Sequence, residues 1–224
     1  MTADTLITDF SRVYSDQGFD AFLGERACRL DLTSLQGTTC YCAPSAAAEI
    51  RRALSGRSER IHWIDSGDYH YMTKLFTDAL AEPFTLVLFD NHPDDQAPGF
   101  EGIGLSCGSW VLAMQEGNRQ LEGVITVGPE GARPALDVRG KAVWISIDKD
   151  ILSREYARTD WSQGGFSLPE LEEMLSEVFD GAGKVLGVDV CGEFPPVKGG
   201  SPEDQRINLA TNIEIQQFIE NHIK

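Results

Sequence analysis

Apolar and polar positions follow two alternating patterns along most of this chain. Short apolar runs bounded by polar residues or glycine are typical of strands that are buried on both faces of a parallel sheet. Such runs predict strands at 60–65, 84–90, 123–127, 142–148 and 184–190. Because stretches with helical spacing separate several of these runs, we expect strands and helices to follow each other along the chain.

Apolar residues at helical spacing predict helices between these strands. Ser167 and Glu170 have the spacing of a capping box and precede one such pattern. Further helices are predicted at 46–54, at 71–80 and from Thr211 to near the C-terminus. Together the elements predict an α/β fold, a three-layer α/β/α sandwich with a mostly parallel central sheet, formed by residues 1–224 as a single domain.

Composition narrows the classes of partner. The chain has 35 acidic and 19 basic residues and a formal net charge of −16. This balance disfavours nucleic acid and anionic membranes and favours a cationic substrate. No apolar stretch approaches the roughly 20 residues that span a bilayer, and the N-terminal residues lack the pattern of a signal peptide. Five cysteines without a C-x-x-C pair indicate reduced thiols. We therefore predict a cytoplasmic protein.

Two acidic clusters stand at the ends of predicted strands. Asp90, His92 and Asp94 follow the run at 84–89, and Asp148 and Asp150 follow the run at 142–147. Residues i and i+2 of an extended chain point to the same side, so each cluster can present two ligands to one place. Carboxylates gathered near a core repel one another, and a bound cation relieves that cost. The clusters therefore predict a pair of divalent metal ions.

The ligand types favour manganese or iron, and zinc less, because no thiolate lies in either cluster. A plainer interpretation is that aspartate and asparagine after a strand form turns or cap the next helix. Two clusters of similar form, each after an apolar run, favour the metal site over that alternative.

Several ordered motifs resemble those of the ureohydrolase superfamily, which contains arginases, agmatinases and formiminoglutamases and has histone deacetylases as more distant relatives. The resemblance extends from Asp65 to Pro196, more than half of the chain. The motifs are, in chain order, Ser66-Gly67-Asp68-Tyr69-His70, Asp90-Asn91-His92-Pro93-Asp94, Ser146-Ile147-Asp148-Lys149-Asp150, Gly164-Gly165-Phe166-Ser167 and Glu193-Phe194-Pro195-Pro196.

This resemblance implies an arginase/deacetylase-like fold and a site with two Mn²⁺ ions, although other divalent transition metals suit the same ligands. The metal ligands would be His70, Asp90, His92, Asp94, Asp148 and Asp150. Asp90 and Asp148 would bridge the ions, His70 and Asp94 would complete one, and His92 and Asp150 the other. Catalytic roles would fall to Asp94, Glu193 and Cys107, and substrate binding to Glu193 and Asp189.

The activity implied by the resemblance is hydrolysis of a guanidino C–N bond with release of urea. The substrate would be a small cation such as arginine or agmatine, or an arginyl peptide, because the loop residues that grip free arginine are not found. Two alternatives remain open: a metal-dependent amidohydrolase or deacetylase, and a catalytically silent metal-binding protein. The resemblance also allows a homo-oligomer.

The chain departs from the family pattern at three positions. His70 stands one place after the family's histidine, so it needs a one-residue bulge to reach the metal, or else that ligand is lost. Glu193 stands one place later than usual, which Gly192 can accommodate. Cys107 occupies the place of the arginase proton-shuttle histidine. It is interpreted as an inert pocket residue, as an aid to proton transfer, or as a nucleophile.

Overall fold

A single sheet organises the protein. The computed structural model describes residues 4–98 and 104–223. The strands of the sheet are β1 (Thr5–Asp9), β2 (Ala27–Asp31), β3 (Ile61–Trp63), β4 (Phe84–Phe89), β5 (Leu121–Val127), β6 (Ala142–Asp148) and β7 (Lys184–Cys191). Their order across the sheet is β2-β1-β3-β7-β6-β4-β5, and the pairings are parallel throughout.

Helices connect the strands and cover both faces of the sheet. They are α1 (Val13–Gln17), α2 (Phe19–Leu23), α3 (Pro44–Leu54), α4 (Met72–Thr77), α5 (Trp110–Gly117), α6 (Leu168–Gly181) and α7 (Pro202–His222). One core cluster contains residues of α1, α2, α6 and α7, and the other contains residues of α3, α4 and α5. The predicted three-layer α/β/α sandwich is confirmed.

Alternation along β6 assigns its residues to the two faces. Val143, Ile145 and Ile147 belong to the core beneath α6 and α7, whereas Trp144 belongs to the core beneath α3 to α5. Because side chains alternate along a strand, Ser146 and Asp148 share the face of Trp144. The polar residues at the end of β6 therefore reach the α4 side of the sheet.

Most predicted elements agree with the structure to within two residues. The capping box of Ser167 and Glu170 is present at the start of α6, with both reciprocal hydrogen bonds formed. The strand predicted at 60–65 is shorter in the structure and spans Ile61–Trp63, and Asp65 adopts a left-handed φ of 91°. The predicted helix at 71–80 is also shorter and spans Met72–Thr77.

The start of the last helix was predicted wrongly. Helix α7 begins at Pro202 instead of Thr211, and Ser201 caps it in a capping box with Asp204. Aspartate at this third position is a less usual partner than glutamate or glutamine. The inward face of the first half of the helix is also polar, so it carries no apolar periodicity that could reveal it. The buried residues of that half include Gln205, Asn208 and Asn212.

Strands β1 and β2 and helices α1 and α2 were not predicted, and they lie before the first predicted helix at 46–54. Strand β1 lies between β2 and β3 and is buried throughout.

None of the helices within residues 4–98 and 104–223 is both long enough and apolar enough to cross a membrane.

Candidate metal centre

The carboxyl ends of adjacent strands bring the two acidic clusters together. Asp90 follows β4, and Asp148 ends the neighbouring strand β6. Because parallel strands end at the same edge of a sheet, the residues that follow them meet there. His70 arrives from a different direction. It follows a turn of 3₁₀-helix at Gly67–Tyr69 and precedes α4.

His70 lies at the centre of the first group of candidate ligands. Its Nδ1 atom is 3.1 Å from Asp90 Oδ2, 3.2 Å from Asp94 Oδ2 and 3.6 Å from Asp148 Oδ2. The one-residue shift of this histidine is therefore not accommodated by a β-bulge. The 3₁₀ turn before His70 carries its ring to the carboxylates instead.

His92 forms the second group with Asp150 and the other oxygen of Asp90. Its Nδ1 atom lies 2.8 Å from Asp150 Oδ2 and 3.5 Å from Asp90 Oδ1. Its Nε2 atom lies 2.8 Å from Ser162 Oγ, which fixes the orientation of the ring. The two groups thus share Asp90, and each offers one imidazole and carboxylates.

Ser146 orients the His70 ring from behind. The hydroxyl of Ser146 donates to Asp189 Oδ1 at 2.6 Å and lies 2.9 Å from His70 Nε2. Because a hydroxyl has one hydrogen, Ser146 Oγ accepts from Nε2–H of His70. In a neutral His70, the Nδ1 lone pair then faces the carboxylates. This tautomer is the one that a metal ligand needs.

The acidic groups carry raised pKa values. Burial raises the pKa of Asp148, and the charges of Asp150 and Asp90 raise it further. Burial and the charge of Asp90 likewise raise the pKa of Asp150, and burial raises that of Asp94 despite His70 nearby. Without a cation, the site therefore favours protonated carboxyl groups.

The pKa values of the two histidines, His70 and His92, are also raised. Hydrogen bonding to Asp150 and Asp90 raises the pKa of His92 to about 10. Burial alone lowers the pKa of His70, but Cys191 and the carboxylates of Asp90 and Asp94 outweigh burial and leave it raised. In the metal-free chain, protons therefore supply positive charge between the carboxylates.

A pocket of about 160 Å³ opens above these residues. Gly67 shapes one wall, where a Cβ atom would lie 2.9 Å from Trp161 Cδ1 and 3.0 Å from Asp148 Oδ2. The lining residues are Gly67, Asp90, His92, Asp94, Gln96, Cys107, Gly108, Asp148, Asp150 and Trp161.

Comparison with known proteins gives one relative by sequence. An uncharacterized protein of Thermotoga maritima (strain ATCC 43589 / DSM 3109 / JCM 10099 / NBRC 100826 / MSB8) is 27% identical over 219 residues, which cover 91% of this chain and 86% of the relative. No protein-family model matches the chain.

Solved structures are similar over nearly the whole chain. Proclavaminate amidino hydrolase from Streptomyces clavuligerus superposes with a TM-score of 0.69 at 17% identity, covering 96% of this chain and 91% of that one. Formimidoylglutamase from Bacillus subtilis subsp. subtilis str. 168 gives a TM-score of 0.65 at 15% identity, with 96% and 85% covered. A triple mutant of a T. brucei arginase-like protein, bound with Mn²⁺, gives 0.58 at 19% identity, with 88% and 73% covered.

This chain has the arginase-like α/β fold. The resemblance to ureohydrolases, predicted from the ordered motifs, is confirmed at the level of the fold. In this arginase-like fold, the carboxyl edge of β4 and β6 carries the His and Asp groups that could hold metal ions.

The residues present fit a divalent metal ion. His70 Nδ1 and Asp90 Oδ2 are among the few buried polar atoms of the described residues that have no hydrogen-bond partner, and they lie 3.1 Å apart. Leaving such atoms unpaired is costly unless a cation satisfies them. Oxygen and imidazole donors are typical of manganese and iron sites. The arginase-like fold of this chain therefore has a buried site suited to such ions.

Glu193 is placed elsewhere, contrary to the prediction that it contacts the substrate. Its side chain is fully buried and forms an ion pair with Lys149. The carboxylate also accepts hydrogen bonds from Gln17, Asn208 and Asn212 at 2.6 to 3.0 Å. We call these five residues the amide cluster. Among the described residues that line the pocket, Glu193 is absent.

Gly192 forms a turn, but this turn does not bring Glu193 to the pocket as predicted. Its φ is 93°, and a Cβ atom there would lie 2.4 Å from Asp148 Oδ1. The residue thus allows the chain to turn after β7 and pass close to Asp148. The turn carries Glu193 away from the pocket and toward Lys149.

Asp189 is also placed differently from the prediction. It is fully buried beneath the pocket, where Trp144, Ser146 and Thr73 donate to its carboxylate. This geometry contradicts direct substrate binding by Asp189. Its contact with Ser146 makes it a support for His70.

Cys107 lines the pocket, as an active-site position would. Burial, together with the charges of Cys40 and Asp94, raises the pKa of its thiol to about 12. A thiol in that state is a poor nucleophile at neutral pH. A pKa this high also disfavours proton transfer near neutral pH, so among the three interpretations the inert pocket residue is favoured.

Cys191 was missed by the sequence analysis. It is fully buried at the end of β7, and its Sγ donates to Asp148 Oδ2 at 3.1 Å. Two signals pointed to this position: Cys191 directly follows the predicted strand at 184–190, and it follows Asp189 at the i+2 spacing that marks the acidic clusters.

Proposed function

We propose that the protein is a hydrolase that uses two divalent metal ions to cleave a C–N bond. The observation that carries this proposal is the pair of His and Asp groups, buried except for the half-buried His92, that share Asp90 at the floor of a pocket. The names of the similar amidino hydrolase and formimidoylglutamase support an amidino or guanidino carbon as the target.

Six side chains would hold the ions. His70 and Asp94 would belong to one ion, His92 and Asp150 to the other, and Asp90 and Asp148 would serve both. Bound Mn²⁺ supplies Lewis acidity and lowers the pKa of water toward neutrality. Manganese is favoured because the donors are oxygens and imidazoles, and because the arginase-like T. brucei mutant binds Mn²⁺.

Asp94 is the carboxyl group best suited to exchange a proton with the substrate. Its side chain is 11% exposed, compared with 1% for Asp90 and Asp150 and 5% for Asp148. Trp110 Nε1 donates to Asp94 Oδ2 at 2.6 Å and orients the group. Its exposure and fixed orientation suit Asp94 to pass a proton to the departing nitrogen.

A guanidino group is the leading substrate, carried by an arginine-like or agmatine-like molecule or by an arginyl peptide. A neutral amide is a second candidate, favoured by one observation. Lys149 neutralises Glu193, so the carboxylate expected to hold a cation is already paired. The other carboxylates that line the pocket are themselves candidate metal ligands.

Metal titration combined with substrate assays tests the proposal. We expect protein loaded with Mn²⁺ to bind two ions per chain and to release urea from arginine, agmatine or an arginyl peptide. Amine release from N-acylated amines would instead favour the amide candidate. Asp90→Asn should lower the stoichiometry of bound metal and abolish turnover, because it removes the residue that both groups share.

Asp95→Asn is the matched control. Asp95 neighbours Asp94 in sequence but is exposed, so this variant should bind metal and turn over substrate like the unmodified chain. A protein that binds two ions yet hydrolyses neither guanidino compounds nor amides would be a silent metal-binding protein. Failure to bind any divalent ion would overturn the proposal altogether.

A further inference from the structure

A third group of potential ligands lies next to the two described above. A ring nitrogen of His70, one carboxylate oxygen of Asp148 and Cys191 Sγ all lie within 4.8 Å of one another. All three residues are buried, with 1%, 4% and 0% exposure. The thiol therefore faces the same space as the imidazole and carboxylate of the candidate metal centre.

Strand register puts Cys191 in this position. In the parallel pairing of β6 with β7, Asp148 is the register partner of Cys191 and Ser146 is that of Asp189. Register partners on neighbouring parallel strands point to the same face of the sheet. The thiol and the Asp148 carboxylate are consequently directed to the same side, toward His70.

A buried cysteine often acts only as a small apolar residue. Two observations argue against that role here. Cys191 Sγ contacts Asp148 Oδ2 at 3.1 Å. The buried His70 Nδ1 lies 3.6 Å from the same oxygen and has no hydrogen-bond partner among the described residues. An imidazole lone pair, a carboxylate and a sulfur that converge in this way are the donors of a transition-metal site.

We propose that Cys191 is a metal ligand, which binds through its sulfur the ion that His70 and Asp148 also hold. The inference rests on the metal centre of the proposed function and adds a sulfur donor to it. On binding, the S–H bond breaks, the proton leaves to solvent, a metal–sulfur bond forms, and no electrons are transferred. A sulfur donor favours zinc, cobalt or iron over manganese, so the ion beside His70 would differ in preference from the ion beside His92.

Cobalt substitution tests this proposal. Co²⁺ bound to a thiolate gives a sulfur-to-metal charge-transfer absorption in the near ultraviolet, whereas oxygen and imidazole ligands do not. We expect the unmodified protein loaded with Co²⁺ to show this band and Cys191→Ser to lose it. Cys42→Ser is the matched control, because Cys42 is also buried but its sulfur lies 3.9 Å from a backbone carbonyl. That variant should keep the band.

Counting the bound ions separates failure of this inference from failure of the proposed function. Protein that binds no Co²⁺ would remove the metal centre itself. Protein that binds Co²⁺ without the band, or a band that survives in Cys191→Ser and disappears in Cys107→Ser, would overturn the role of Cys191 alone.

X-ray absorption on the unmodified protein covers the case in which Cys191→Ser does not fold. Zinc-loaded protein should show sulfur scattering at about 2.3 Å. A coordination shell made only of oxygen and nitrogen would overturn the proposal.

Discussion

Two buried polar clusters lie near the end of β6, and they differ in charge balance. The acidic cluster around His70 and His92 has four carboxylates, and two of its polar atoms have no hydrogen-bond partner among the described residues. The amide cluster has one ammonium and one carboxylate, Lys149 and Glu193, surrounded by side-chain amides that bond to them. The acidic cluster has an excess of negative charge, whereas the charges of the amide cluster balance.

Adjacent residues supply both clusters. Asp148 and Asp150 turn toward His70 and His92, whereas Lys149 between them turns toward α7 and pairs with Glu193. Burying a charge is costly unless it is paired. The amide cluster meets that condition with its own residues, whereas the acidic cluster meets it only with protons or an added cation. The comparison separates a structural cluster from a ligand-binding one.

The largest expected effect is on the amide cluster. Lys149→Met should destabilise the protein by about 3–5 kcal/mol, because it leaves Glu193 as an unpaired buried charge. Urea unfolding of the metal-free protein measures this. The double variant Lys149→Met/Glu193→Gln should regain part of the loss, since the remaining amide bears no charge.

Lys141→Met provides the control for this comparison. Lys141 pairs with Asp137 at the surface, where its side chain is 39% exposed. Its loss should cost no more than about 0.5 kcal/mol. If Lys149→Met costs no more than Lys141→Met, the amide cluster is not the structural element described here.

The second expected effect is a pH dependence of the stabilisation that Mn²⁺ gives by binding to the acidic cluster. The stabilisation produced by saturating Mn²⁺ should grow as pH rises from about 5 to about 8, because metal ions and protons compete for the same groups. For each proton displaced, affinity should tighten by up to about tenfold per pH unit. Thermal unfolding with Mn²⁺ and with a chelator, across that range, measures the difference.

The increase of the Mn²⁺ stabilisation with pH follows from the direction of the pKa shifts. Asp94, Asp148 and Asp150 have raised pKa values in the metal-free fold. Their contribution to stability is complete below the unfolded value of about 3.9 and is lost as pH rises through the folded values. His92, with a folded pKa of about 10, acts in the same direction above about 6.5. A stabilisation by Mn²⁺ that shrinks with rising pH would contradict this account.

The smallest effect tests the support of His70. Ser146→Ala should weaken Mn²⁺ binding by about 10- to 100-fold, because the hydroxyl that fixes the ring is removed. Calorimetric titration measures the affinity. Ser176→Ala, on α6, loses a hydroxyl that bonds only to the backbone of its own helix, and it should leave the affinity unchanged. Equal affinities in the two variants would show that Ser146 does not orient the ligand.

The sequence predicted the central strands of the sheet but not its N-terminal strands β1 and β2. Buried strands such as β4, β6 and β7 are nearly continuous apolar runs, and this pattern identifies them without tertiary information. Strand β2 has mostly partly exposed residues, and α7 turns amides inward, so neither carries the usual pattern. Contacts with distant residues position these elements: β2 pairs with β1, and Asn212 of α7 donates to Glu193.

The ligands in the two acidic clusters could be named from spacing and His70 from the family resemblance, but the role of Glu193 could not be predicted. Asp90 and Asp148 follow apolar runs, and their positions at one edge of the sheet follow from parallel topology. Whether Glu193 faces the pocket or Lys149 depends on the turn at Gly192 and on the amides of α7. Those contacts join residues far apart in the sequence, which local patterns do not describe.

The ion pair of Lys149 has a consequence for how the protein is assembled. Because the pair fastens the segment between Asp148 and Asp150 independently of any ion, we expect the newly made chain to reach its final shape before it acquires metal. Loading would then be a late, reversible step, governed by the supply of ions in the surroundings. Such a chain could exchange one metal for another without unfolding.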